Sequence, residues 1–403
     1  MEEKMKREKQ NRYIVWFLFA FMFILAVTSA VIGVLVPEMQ KDYQLTYDRI
    51  GYLSSIQNVG GFVTVLIGGI LADRFDKLKL IGGCALLYTV CLAGTSMIPP
   101  YIVLLVLFFL IGAVSNMESV LVSAYISQIY REWAFAYLNL SHGFFGAGSL
   151  LGPTYATILF SLHLKWTVLY ITLAVTCAVL LLLYAVLQYK MAGNREKEEI
   201  QHIQENQETG SYRLLVKNKG ALCLCIACCI YMGQQTALNT WITSFCLEKV
   251  TDNAMLAGLV TSGYWLGITL GRFVQSALPK QLDAVVSTLW GCVAGAALLV
   301  VGLLSGNIWS VLLTVCMSGI CAGAAYPNMI GAMGKTLPEM TGTGTSALCI
   351  TGTFGGIVFP WLAAKIIGLS WLAGLLLCPV SMLLTAVLLG WFRKIMAGAQ
   401  TGA

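Results

Sequence analysis

Tyr13-Ile-Val-Trp-Phe-Leu-Phe-Ala-Phe-Met-Phe-Ile-Leu-Ala-Val-Thr-Ser-Ala-Val-Ile-Gly-Val-Leu-Val36 runs for 24 residues without a charge. A bilayer's hydrocarbon core is about 30 Å thick and takes about 20 helical residues to cross. The stretch is too long for the core of a signal peptide, and no small-residue cleavage pattern follows it. It reads as a retained first membrane helix.

The rest of the chain repeats that pattern. Hydrophobic residues make up 58% of the 403 and charged residues 11%, against about 25% charged in a soluble domain. Lipid must therefore be the solvent, and only helices or closed barrels satisfy their backbones there. The apolar segments lack period-two alternation, which selects helices. Twelve spans can be drawn, at 13–36, 50–72, 79–98, 101–129, 135–160, 167–189, 220–246, 255–277, 284–304, 308–333, 342–367 and 371–392. The expected organisation is a cytoplasmic tail (1–12), a six-helix half (13–189), a polar cytoplasmic linker (190–219), a second six-helix half (220–392) and a cytoplasmic tail (393–403).

Lysine and arginine set the orientation. With the N-terminus inside, 20 of the 25 basic residues fall on the inner side, and only Lys41, Arg49, Lys165, Lys249 and Lys365 fall outside. A multi-pass protein of the plasma membrane with both termini cytoplasmic is expected. Most of the 13 cysteines lie inside apolar segments, so they do not read as a disulfide framework. Cys223, Cys225, Cys228 and Cys229 share one segment and read as small packing residues rather than a soft-metal site. No metal, cofactor or nucleic-acid partner is expected, and a monomer is. P-loop, H-E-x-x-H and G-x-S-x-G patterns do not appear, so a membrane enzyme or receptor is the weakest reading.

The halves repeat weakly. Gly69-Ile-Leu-Ala-Asp73-Arg74 ends span 2 and Gly267-Ile-Thr-Leu-Gly-Arg272 ends span 8. Gly148 and Pro153 in span 5 have the spacing of Gly355 and Pro360 in span 11. Two duplicated six-helix halves are a transporter architecture.

Gly69-Ile-Leu-Ala-Asp73-Arg74-Phe-Asp76-Lys77-Leu-Lys79 resembles the signature between helices 2 and 3 of the major facilitator superfamily. The resemblance implies an all-α fold of twelve helices in two pseudo-symmetric halves. It also implies a cytoplasmic latch built from Gly69, Asp73, Arg74 and Lys77, with Arg272 as the second-half counterpart. The family usually has glycine where this chain has Asp76. A finer resemblance is to the fucose permease-like branch of proton symporters. It rests on Gly112 with Glu118 in span 4, Asn139 to Pro153 in span 5, Gly233 to Trp241 in span 7 and Gly323 to Asn328 in span 10. That branch carries an aspartate four residues before a proline in helix 1, where this chain has Gly33 before Pro37.

Of the 19 acidic residues only Glu118 lies near the middle of a span. An acid at that depth costs about 2.5–3.5 kcal/mol on insertion scales, which makes it a functional candidate. Glu118 is the expected proton-coupling carboxyl, the other reading being an acid that only bonds neighbouring helices. His142 is the second candidate. Glu118 lies thirteen residues before Arg131 and His142 eleven after it, so across a helical hairpin their depths differ by about 3 Å and the two could share a cavity. Buried amides and aromatics supply the expected solute contacts: Asn116, Asn139, Gln234, Gln235, Asn239, Trp241, Tyr326 and Asn328, with Tyr264 and Trp265 as weaker candidates. The favoured function is proton-coupled import of a small polar solute such as a sugar; the alternative is proton-driven efflux of amphipathic compounds.

Overall fold

A computed structural model describes residues 2–130, 134–192, 215, 217–277, 283–338 and 341–401. The first half comprises α1 (Glu2–Ala30), α2 (Ile32–Tyr43), α3 (Tyr47–Arg74), α4 (Lys77–Ser96), α5 (Tyr101–Tyr130), α6 (Ala134–Ser161) and α7 (Trp166–Ala192). The second comprises α8 (Lys219–Lys249), α9 (Ala254–Ala277), α10 (Ala284–Leu304), α11 (Ile308–Ala322), α12 (Ala325–Thr336), α13 (Thr341–Ile367) and α14 (Trp371–Thr401). Spans 1 and 10 are each split, into α1–α2 and α11–α12, so among the described residues these fourteen helices make twelve membrane crossings. Ten crossings pass by length and hydropathy among the described residues. The 28-residue helices α3 and α6 complete the set.

Three expected boundaries move. Helix α1 begins at Glu2, so the basic stretch before Tyr13 continues the helix, and α14 runs on to Thr401 past the expected end at 392. Span 10 breaks at Gly323-Ala324. Pro327 has no N–H to give to the carbonyl of Gly323, four residues earlier, and that carbonyl is set free. Most of the expected linker, 193–214 and 216, lies outside the described residues, as does the turn 131–133.

Polar caps start several helices. Asp76 caps α4, its Oδ1 accepting from Leu78 N at 2.9 Å and Lys79 N at 3.2 Å. Asp283 does the same for α10, accepting from Val285 N at 2.8 Å. These two acids occupy corresponding loops of the two halves with nearly the same backbone angles. The glycine-to-aspartate departure in the signature therefore has a local use, since a cap satisfies an N–H the helix leaves open.

Within each half, glycines let backbones touch. A Cβ on Gly148 of α6 would overlap Phe23 O of α1, and one on Gly355 of α13 would overlap Cys229 O of α8. The repeated Gly-Pro spacing thus does the same job twice. Gly112 against Gln57 O (α5 on α3) and Gly267 against Cys316 O (α9 on α11) form a second matched pair. Lipid gives helices no hydrophobic reason to associate, so contacts this close supply the adhesion. Gly355→Ala is expected to cost about 1–3 kcal/mol through overpacking and to lower the melting temperature of the detergent-solubilised protein. Gly83→Ala, where nothing lies within 4 Å, is the control expected to leave it unchanged.

Candidate functional site: the seam between the halves

The halves meet along α2, α3 and α6 on one side and α8, α9 and α13 on the other. At the face away from the termini the seam is shut. Lys365 Nζ donates to Asp48 Oδ2 at 2.6 Å. The Tyr47 ring stands edge-on to Trp241 and Trp371, with centroids 6.2 and 5.0 Å away. Ser54 and Thr240 share a hydroxyl bond of 3.0 Å, and Ser55 Oγ donates to Ile357 O at 2.6 Å. Trp241, fully buried, donates to Pro360 O at 3.0 Å. In this closed arrangement it is a wall of the closure.

On the pseudo-twofold axis α2 meets α8. A Cβ on Gly33 would overlap Asn239 O. The offset that carries Phe23 to Cys229 also carries Gly33 to Asn239, so each residue touches its own counterpart. No side chain fits at Gly33 while the halves are closed, which is why an aspartate there is incompatible with this packing. Pro37 leaves the Gly33 carbonyl without its helical donor.

Helices α6 and α9 form a ladder across the seam. Gly258 sits against Thr157, Thr154 Oγ1 bonds Ser262 Oγ at 2.8 Å, and a methyl on Gly146 would lie 3.7 Å from Thr269 Oγ1. One helical turn nearer the termini, the α6–α9 register brings His142 and Arg272 to the same level of the ladder. Arg272 is the charged group acting on His142, and both side chains are exposed. The ladder is closed at its far rungs and open at this one. Arg272 Nε donates to Gly323 O at 3.4 Å, the carbonyl that Pro327 released.

The expected pairing of Glu118 with His142 does not occur. Glu118 points into the core of the first half, 0% exposed, with Cys84 of α4 and Tyr184 of α7 in its field. Depth matched, but helix face did not. Neither carboxyl oxygen has a hydrogen-bond partner among the described residues. Asn116, expected near Glu118, faces the opposite way, against Gly61 of α3, and donates to Gly112 O at 3.2 Å. Gln234 is the most deeply buried of the three amides on α8, 0% exposed beside Tyr264. Asn328 ties α12 to α10 through Thr288 Oγ1 at 2.8 Å. Tyr326 bonds Cys349 Sγ at 3.1 Å. Both read as packing contacts.

Gln235 and Asn239 lie one turn apart on α8, and Trp265 Nε1 donates to Asn239 Oδ1 at 2.8 Å. Trp265 shares the α9 face that carries Ser262 and Thr269 to the seam, so with Asn239 it forms a polar, aromatic pair there, and Gln235 lies one turn before Asn239 on the same side of α8. Asn58 of α3 joins the seam from the other half. It donates to Ser54 O at 2.9 Å, and a Cβ on Gly356 of α13 would lie 2.9 Å from its Oδ1. Sequence reasoning missed it, although an amide halfway along a span was the available signal. Gly69, Asp73, Arg74 and Asn139 lie on helices, but their side chains fall outside the described set. Lys77 opens α4.

A family profile settles what this architecture is: that of the Major Facilitator Superfamily matches residues 17–360. The chain belongs to the Major Facilitator Superfamily. It is a multi-pass membrane protein with a transporter fold, not an enzyme. Among its relatives, the TsgA homolog of Buchnera aphidicola is 18% identical over 350 residues, covering 86% of each chain. Among solved structures, a bacterial homolog of the human lysosomal transporter Spinster, inward-facing and unoccupied, overlays with a TM-score of 0.75 at 11% identity over 96% of each chain. The Escherichia coli fucose:proton symporter FucP overlays with a TM-score of 0.61 at 14% identity, over 95% of this chain and 99% of its own. Members of this superfamily bind small molecules and often a coupling ion.

Gly33→Val is expected to wedge α2 from α8. Hydrogen–deuterium exchange at residues 44–56 and 239–250 should rise, by roughly tenfold for each 1.4 kcal/mol of closure lost. Unchanged exchange there would show that the contact is not what holds the far face shut.

Proposed function

We propose that this chain is a proton-coupled secondary transporter of the plasma membrane, with both termini cytoplasmic. It imports a small polar solute such as a sugar by alternating access. The observation that carries this reading is Glu118. A carboxylate stripped of water and hydrogen bonds is costly, and a proton removes the charge. A group in that position favours one protonation state when buried and the other when water reaches it, which is what ion coupling needs. Tyr184 lies between Glu118 and the start of α4 in the first half's core. Its hydroxyl donates to Leu78 O at 2.7 Å.

Gln235, Asn239 and Trp265 support the solute class. Amide donors and acceptors beside an indole suit a polyhydroxylated molecule with a flat C–H face, whereas an amphipathic drug asks for an apolar pocket. One structural neighbour is a fucose:proton symporter, which agrees with this reading. Gly69, Asp73, Arg74 and Lys77 take the latch role at the near face that the family signature implies. The near face then opens while the far face is shut, and transport alternates the two.

The test is uptake of a radiolabelled panel of sugars and polyols into cells, with and without a protonophore. Glu118→Gln is expected to abolish protonophore-sensitive accumulation against a gradient while leaving solute exchange within about threefold of wild type. Full accumulation by that variant would end the assignment.

A further inference from the structure

We infer that His142 and Arg272 form an anion-binding subsite across the open end of the seam, and that the transported solute carries an oxyanion, a carboxylate or a phosphate. The inference deepens the transporter reading and rests on it for the word transported. The site itself stands on the α6–α9 ladder.

Arg272 follows Ser262, Trp265 and Thr269 at helical spacing on the face of α9 that meets α6. Its exposure is therefore toward the cleft between the halves. The lipid-facing residues of α9, Leu266, Leu270 and Phe273, lie on a different stripe. A guanidinium at this position has five N–H donors, and one neutral carbonyl at 3.4 Å engages only Nε. Its charge acts on the hydroxyl-bearing Tyr231 and Tyr326 and on the basic His142, and none of these three supplies negative charge.

The acids whose side chains are described are accounted for elsewhere. Glu38 pairs with Lys41 and Asp48 with Lys365, both at the far face. Asp42 accepts from Trp166 Nε1 and Asp283 pairs with Arg393. Asp76 caps α4, Glu118 is sealed in the first half, and Glu248 and Asp252 flank a far-face loop. None of these eight carboxylates neutralises Arg272.

In the open cleft, water screens this charge. When the near face closes, the ladder must shut at the one rung that holds two basic side chains. Burying an unpaired guanidinium is costly, and a planar oxyanion accepting two parallel N–H bonds removes most of that cost. Closure is thereby tied to the presence of an anionic solute, and Arg272 recognises its charged end while Asn239, Gln235 and Trp265 face the remainder at mid-depth.

The experiment is differential scanning fluorimetry of the purified full-length protein with D-gluconate, D-glucose 6-phosphate or D-glucose, at matched ionic strength. One or both acids should raise the melting temperature of wild type while glucose leaves it unmoved, and the two acids tell carboxylate from phosphate. Arg272→Gln should weaken the apparent affinity for the effective acid about tenfold or more. Arg272→Lys, which keeps a charge but not the fork, should retain part of it and shows that the position tolerates change. Gly83→Ala, where nothing lies within 4 Å, should keep the full shift. A wild type indifferent to both acids, an equal shift with glucose, or a full shift in Arg272→Gln would overturn the subsite. Loss of accumulation alone would bear only on the coupling assignment.

Discussion

Backbone-to-backbone contact at glycine is the constraint on which the rest of this structure depends. Apolar side chains gain little by leaving lipid for a protein interface, so helix adhesion rests on close packing and interhelical polar bonds. Gly148 and Gly355 bring α6 onto α1 and α13 onto α8, while Gly112 and Gly267 do the same for α5 on α3 and α9 on α11. Two compact halves result. Gly33 then applies the same device between the halves, where the contact must also be able to break.

That reuse explains how the site is arranged. Inside each half a polar group is sealed away: Glu118 in the first and Gln234 in the second, each fully buried. Between the halves the polar groups are graded with depth. Hydroxyl pairs and an ion pair close the far end, amides and an indole occupy the middle, and two basic side chains stand at the open end. A cleft of this kind offers a solute hydrogen bonds at its centre and charge at its mouth. The proposed proton-accepting group, Glu118, sits outside the cleft, so under that proposal coupling between the two passes through the packing of α5 against α3 and α4.

Departures from the family pattern are informative in the same terms. Asp76 replaces a glycine and caps α4, and Gly33 replaces an acid and permits α2 to touch α8. In each case the substituted residue is explained by a contact of the backbone, not by chemistry lost.

Much of the fold was legible in the chain itself. Apolar length, the near absence of charge and the paired Gly-Pro spacings determined twelve helices in two related halves, because lipid admits few alternatives for an unsatisfied backbone. Glu118 could be singled out as the one acid at mid-depth for the same reason. Which way each residue faces was not legible. Glu118 and His142 have matching depth but project from different faces of a hairpin, Trp241 bonds Pro360 O, and the charge of Arg272 acts on His142, more than a hundred residues away in sequence. Depth follows from counting along one helix, whereas orientation toward core, lipid or seam is set by how neighbouring helices rotate to bring their glycines together, and only the assembled bundle decides that.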